Sequence, residues 1–409
     1  MIKKKCSVFL ISLSFLLGSC TTSPPPISDS GESFAELAPI RTLMEMNRYD
    51  IDTYLLPFWY TREIYQETVL FLESEIQAPL LYEAQDILSV KNYGLNISYE
   101  EGKDYIVSNG KLCLTENSTI PRFALDEYYL VRPDDKVIKV DKSKVPFELE
   151  GERWLNFFEG NEITDKQISV CYRHKQRWEG PVPAGKEEKL KNLLAKINGK
   201  EEITVLFYGD SITTGAQSSA FEQISPKADI WPVMVCKYLE KECGIRVNYI
   251  NEAVGGYTTN QGAQNFEASV NREGVDLLVL AFGMNDKNTN GGRYKSLIQE
   301  MAESFHKKNP SGEVLLVSTM TPNYETDWYG NQVQFADELI GLESEYDYCA
   351  CADITNIFEY LFEAGKRFRD VTVNNVNHPN DFGARLYAQV ILKTILGDKF
   401  EERYDAVKG

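Results

Sequence analysis

The chain is poor in basic residues. Its 43 Lys and Arg stand against 61 Asp and Glu, for a formal net charge of −18, whereas phosphate backbones are held by clustered cations. No nucleic-acid partner is expected, and a neutral substrate suits such a surface better than a polyanion. Histidine is scarcer still: three in 409 residues, with no Cys or His cluster at ligand spacing, leave no zinc site to expect and call for no cofactor. The eight cysteines form no dense disulfide framework. Cys349 and Cys351, in DYCACADI, alternate as strand residues do and are expected as small buried apolar groups on one face. Glycine and proline are few for this size, and a hydrophobic content of 43% suffices for one large core or two, which excludes disorder as the main state.

Long apolar runs are also missing, with one exception. The N-terminus, MIKKKCSVFLISLSFLLGSC, runs from a lysine cluster through an apolar stretch to small residues, the order of a secretory signal, and is too short for a comfortable membrane span. Its end, Leu17-Gly18-Ser19-Cys20, resembles the bacterial lipobox. The resemblance implies a signal peptide over 1–19, cleavage before Cys20 and a lipid on that thiol. The expected product is an exported, membrane-anchored lipoprotein, periplasmic or at the cell surface, on a flexible spacer over 20–33, TTSPPPISDSGES.

Two textures follow. Over 34–182 short β-like runs alternate with turn residues, and Asn109-Gly110 between alternating apolar positions is a hairpin signal, because both residues tolerate positive φ. A β-sandwich-like accessory domain is expected there. GPVPAG then breaks the pattern, and KEEKLKNLLAKI follows at helical spacing, with Asn198-Gly199 as its stop. Over 186–409 apolar strands alternate with amphipathic helices, which indicates an α/β fold with a mostly parallel sheet covered on both faces. Sites in such folds form in loops at the carboxyl ends of strands.

Four of those loops carry chemistry: Gly209-Asp210-Ser211, the AVGGYTT segment with Gly255-Gly256, Gly283-Met284-Asn285-Asp286, and Asn377-His378-Pro379-Asn380. A serine hydroxyl is a poor nucleophile until a positioned base takes its proton, and a developing oxyanion needs fixed donors. In this order the four blocks resemble the SGNH, or GDSL-type, hydrolase family. The resemblance covers roughly Glu201 to the C-terminus and implies a flavodoxin-like three-layer fold. It makes Ser211 the nucleophile and one oxyanion donor through its own N–H. Gly256 becomes a second donor, where a side chain would obstruct the acyl group, and Asn285 a third through its amide. His378 becomes the general base and then the general acid. Taken singly, each residue also has a plainer role as a helix cap or a turn. His306 reads as solvated surface, and His174 lies in the β region.

The family usually has an aspartate three positions before its histidine; here that position is Asn375, in VNNVNHPND. Three readings stay open: a Ser-His dyad oriented by Asn375 or a backbone carbonyl, a carboxylate such as Asp370 or Asp381 arriving from elsewhere, or a fold that binds without turnover. The expected activity is removal of acyl groups, acetyl first, from carbohydrate. A lipase or lysophospholipase and a glycan-binding lipoprotein are the alternatives. For sugar-stacking rings, WYTREIY and NYETDWYGN are the first stretches to inspect. Nothing in the sequence speaks to oligomeric state.

Overall fold

The computed structural model describes residues 50–408, apart from 134–135 and 146–147. The expected signal peptide, Cys20 and the spacer lie outside the described residues.

The first region is β-rich. Its five-stranded sheet runs in the order Ser98–Tyr99, Asp86–Asn92, Gln167–Arg173, Glu63–Leu72, Arg122–Phe123. Two three-stranded sheets accompany it, one of them built from Tyr129–Leu130, Trp154–Asn156 and Val137–Lys139. The Asn109-Gly110 signal marks a real hairpin: Ser108 pairs with Lys111, and the two turn residues sit at φ 51° and 71°. Those left-handed values match the strand twist that a two-residue turn must follow.

The second region is a layered α/β unit. A helix α1 (Lys191–Gly199) leads into five strands: β1 (Ile203–Gly209), β2 (Val247–Asn251), β3 (Leu277–Ala281), β4 (Glu313–Val317) and β5 (Cys349–Ala352). All neighbours are parallel, in the spatial order β2-β1-β3-β4-β5. This is the flavodoxin-like order, whose direction of winding reverses between β1 and β3 and opens a crevice at their carboxyl ends. The helix stop differs by one residue from expectation, because Lys200 rather than Gly199 takes the left-handed cap at φ 59°.

Alternation along the strands divides the core. Val205, Phe207, Leu277, Val279 and Leu315 face one side, where α3 (Trp231–Cys243) and the terminal helix α8 (Asp381–Leu396) pack. Leu206, Tyr208, Leu278, Leu280 and Leu316 face the other, against α5 (Gly291–Lys308) and α6 (Phe335–Glu345). Cys349 and Cys351 both belong to this second face, buried and free.

The two regions are not independent in packing. Val69, Phe71 and Tyr172 of the β region join Phe207, Trp231 and Tyr387 of the α/β unit in one apolar cluster. Beside it, Glu67 and Lys366 form an ion pair with side chains 0% and 2% exposed. Gln167 donates to the carbonyls of Arg369 and Thr372 at 2.8 Å each, and Asn380 donates to Thr68 at 2.9 Å. The central strands of the β region thus hold the segment that carries His378. Among the described residues, no helix is long and apolar enough to cross a membrane.

Candidate active site

Ser211 opens a four-residue helix, α2 (Ser211–Thr214), at the end of β1. The preceding Asp210 caps that helix, its carboxylate accepting from the Ile212 N–H at 3.0 Å. The turn therefore exists because a short acceptor stands where strand gives way to helix. It lifts Ser211 to the crevice, where its Oγ lies 2.8 Å from His378 Nε2. His378 enters from the loop before α8, a helix capped by Asn380.

Gly256 sits at φ 78°, and a Cβ there would meet no atom of the described residues within 4 Å. It is the left-handed backbone, not crowding by the protein, that selects glycine. The same turn passes the serine closely, since a Cβ built on Gly255 would lie 4.0 Å from that of Ser211. Asn285 joins this rim by donating its amide to the Tyr257 carbonyl at 3.0 Å, and a primary amide keeps a second N–H for other use.

Two buried carboxylates tie these loops together. Asp210 also accepts from the Met284 N–H, and Asp286 accepts from the N–H and hydroxyl of Thr259 at 2.9 and 2.8 Å. Burial, with Asp286 nearby, pushes Asp210 up to about 7, and burial raises Asp286 as well. The His378 imidazole is pushed down to about 4 because burial penalises its charged form. A ring kept neutral is in the state that accepts a proton.

Asn375, the sequence candidate for orienting His378, does not touch the ring. Its amide donates to the Asn156 carbonyl at 3.2 Å, its backbone carbonyl accepts from the Asn323 amide at 2.7 Å, and its buried Oδ1 has no hydrogen-bond partner among the described residues. The loop turns the 375 side chain toward the β region instead. Neither carboxylate alternative reaches the imidazole: Asp370 pairs with Arg367 at 2.8 Å, and Asp381 accepts from the Ser219 N–H at 3.0 Å. The partner of His378 Nδ1 is Gln217 Oε1, at 2.5 Å. Nothing in AQSSA marks that glutamine in the sequence.

Aromatic rings complete the surroundings. Phe157, following the strand Trp154–Asn156, stands edge-on to His378 at 6.5 Å between centroids, and Trp328 stands 6.3 Å from Phe157. Both rings are half-buried. NYETDWYGN therefore contributes to the site, whereas Trp59 of WYTREIY is core, packed on Phe58 and bonded to Glu401. His174 stacks on Tyr82 in the β region. His306 is not solvated surface but half-buried, stacked on Tyr348 at 3.7 Å.

A parallel sheet of this order, with a serine at the end of its first strand bonded to a histidine ahead of its last helix, defines an α/β fold with a serine-hydrolase type of site. Residues 207–386 match the model of the GDSL-like lipase/acylhydrolase family. Among solved structures, a two-domain esterase active on acetylated mannans is 23% identical over 56% of each chain, with a TM-score of 0.43. An acetylxylan esterase from Geobacillus stearothermophilus is 17% identical over 47% of this chain and 93% of its own, at 0.38. A member of the lipolytic protein G-D-S-L family from Veillonella parvula is 22% identical over 47% and 97%, at 0.36. The chain thus covers little more than half the length of the two-domain esterase. No curated protein matches it.

Proposed function

We propose that this chain is a serine esterase that removes short acyl groups, acetyl first, from carbohydrate, and that it is held at a membrane by a lipid on Cys20. The observation that carries the esterase reading is the 2.8 Å contact between Ser211 Oγ and His378 Nε2, with the Gly256 turn and Asn285 on the same rim. Ser211 attacks the acyl carbonyl while His378 Nε2 takes its proton. The N–H groups of Ser211 and Gly256 and the Asn285 amide receive the oxyanion, where losing one donor costs about 100- to 1000-fold in turnover. His378 then returns the proton to the departing sugar oxygen, and water, activated by the same ring, releases the acyl group.

Support for a sugar substrate comes from the half-buried Phe157 beside the histidine and Trp328 beside Phe157, since aromatic faces pack on sugar rings. The test compares acetate release from acetylated mannan and xylan oligosaccharides, and 4-nitrophenyl esters of two and twelve carbons, by the parent protein and Ser211→Ala. Acetate release and a short-ester preference, both abolished in Ser211→Ala, are expected. A preference for the long ester would move the assignment to a lipase. Absence of turnover together with no fluorophosphonate labelling at Ser211 would end the catalytic reading.

A further inference from the structure

Resting on that reading, we propose that Gln217 is the positioning residue of this centre, fixing the His378 tautomer that accepts the serine proton, and that the β-rich region takes part in catalysis by holding Gln217.

The assignment follows from backbone groups whose polarity is not in question. The Phe158 carbonyl can only accept, and it lies 2.8 Å from the amide nitrogen of Gln217. The nitrogen therefore faces the β region, and Oε1 faces His378 Nδ1. A second line gives the same answer. Asn374 Oδ1 accepts from the N–H groups of Val376, Asn377 and His378 at 3.0, 2.9 and 3.1 Å, so its amide nitrogen must be the atom 2.9 Å from Gln217 Oε1. With an acceptor at Nδ1, the ring proton resides there and Nε2 is bare toward Ser211. Turning the Gln217 amide over would set N–H against N–H and carbonyl against carbonyl.

The backbone at Gln217 is itself unusual, at φ 64° in the left-handed region, which a residue with a Cβ rarely adopts. Hydrogen bonds on both sides hold it: Ala216 N–H to the Ser211 carbonyl and Ser218 N–H to the Gly215 carbonyl, each at 3.0 Å. From that turn the side chain reaches between the Phe158 carbonyl and the His378 ring.

No charged group shares this role among the described residues. Asp210 is spent on the Ile212 and Met284 N–H groups, Asp381 on Ser219, and Asp370 on Arg367. Glu159 pairs with Lys136, Glu325 accepts from the Tyr129 hydroxyl at 2.9 Å, and Lys287 stands over the Trp328 ring at 5.6 Å. The base is oriented by a neutral amide, so no nearby countercharge offsets the burial that keeps the ring deprotonated into acid solution, and none is gained when it takes up the serine proton.

The test uses the full chain with Gln217→Leu, close in size without an acceptor, and Gln217→Glu, which adds the missing charge. For Gln217→Leu, kcat on 4-nitrophenyl acetate should fall by about 100-fold with KM little changed, the low end of what general-base catalysis contributes. For Gln217→Glu, the acid limb of kcat/KM should move up by about 1–3 pH units, the effect of a nearby carboxylate on an imidazole. A folded Gln217→Leu with unchanged kcat and acid limb overturns the proposal. If Gln217→Leu does not fold, an unmoved limb in Gln217→Glu overturns it. Nitrogen NMR of the His378 ring reads the tautomer without turnover: a proton on Nδ1 is expected, and one on Nε2 overturns the assignment whether or not the esterase reading holds.

Discussion

At position 375 the side-chain amide donates to the Asn156 carbonyl rather than to the imidazole, and the backbone carbonyl there accepts from the Asn323 amide. Asn375→Asp therefore supplies no charge to His378; it loses the donor to the Asn156 carbonyl and buries a carboxylate against it. Turnover at pH 7 should not rise, and the thermal midpoint should drop with a stability loss of about 1–3 kcal/mol. A gain in turnover would restore the sequence assignment. His378 itself links the site to pH. The unfolded ring protonates near its ordinary value and the folded ring only near 4, so between the two the unfolded chain binds the extra proton. Stability contributed by this group is present above about 6.5 and lost as pH falls toward 4, with a ceiling of about 3 kcal/mol. Urea midpoints at pH 7 and 5 should therefore differ less in His378→Gln than in the parent. The neutral ring also predicts an acid limb of kcat/KM below the ordinary imidazole range.

At the scale of elements, the site depends on how loops are tied rather than on any one strand. Asp210 and Asp286 carry the ties, joining the serine turn, the Gly256 turn and the Asn285 loop. The short strand Trp154–Asn156 matters out of proportion to its length, because the residues at and after its end supply the Asn156 and Phe158 carbonyls and the Phe157 ring. Phe157→Ala should raise KM for an acetylated oligosaccharide by about three- to tenfold, the scale of one aromatic contact, and affect 4-nitrophenyl acetate less. Equal KM for both proteins on the oligosaccharide would remove Phe157 from the sugar site. Most of these elements are legible in the sequence. The period-2 and 3.6-residue patterns mark the five strands and the long helices α3, α5 and α8, and Asn109-Gly110 marks its hairpin. The stacking of His306 on Tyr348 is not, because its partner comes from a distant segment of the chain.

Across the whole molecule, the β region and the α/β unit share an apolar cluster and a buried polar seam. Glu67, fully buried, accepts from Lys366, the Leu81 N–H and the Tyr172 hydroxyl. Glu67→Ala leaves the Lys366 charge uncompensated, and a stability loss of about 3–5 kcal/mol is expected in urea titration. Esterase activity should fall with the folded fraction. Residues 186–409 expressed alone lack both the seam and the Phe158 carbonyl, so they should not yield a folded, active hydrolase. Recovery of parent-like kcat in that piece would show the β region to be a mere appendage. The proposed lipid anchor belongs to this scale as well: if Cys20 carries it, Cys20→Ser should shift the protein from the membrane to the soluble fraction.

The sequence by itself determined the α/β class, the alternation that buries both faces of the parallel sheet, and the four blocks with Ser211, Gly256, Asn285 and His378, because periodicity and short motifs are local properties of the chain. Only the tertiary structure decided that Gln217 rather than Asn375 faces the imidazole, and that two carbonyls of the β region hold these amides in place. Glutamine and asparagine carry the same functional group with no charge to announce a role. Which amide meets the ring depends on a left-handed turn at one residue and on a strand end that arrives from another region of the chain.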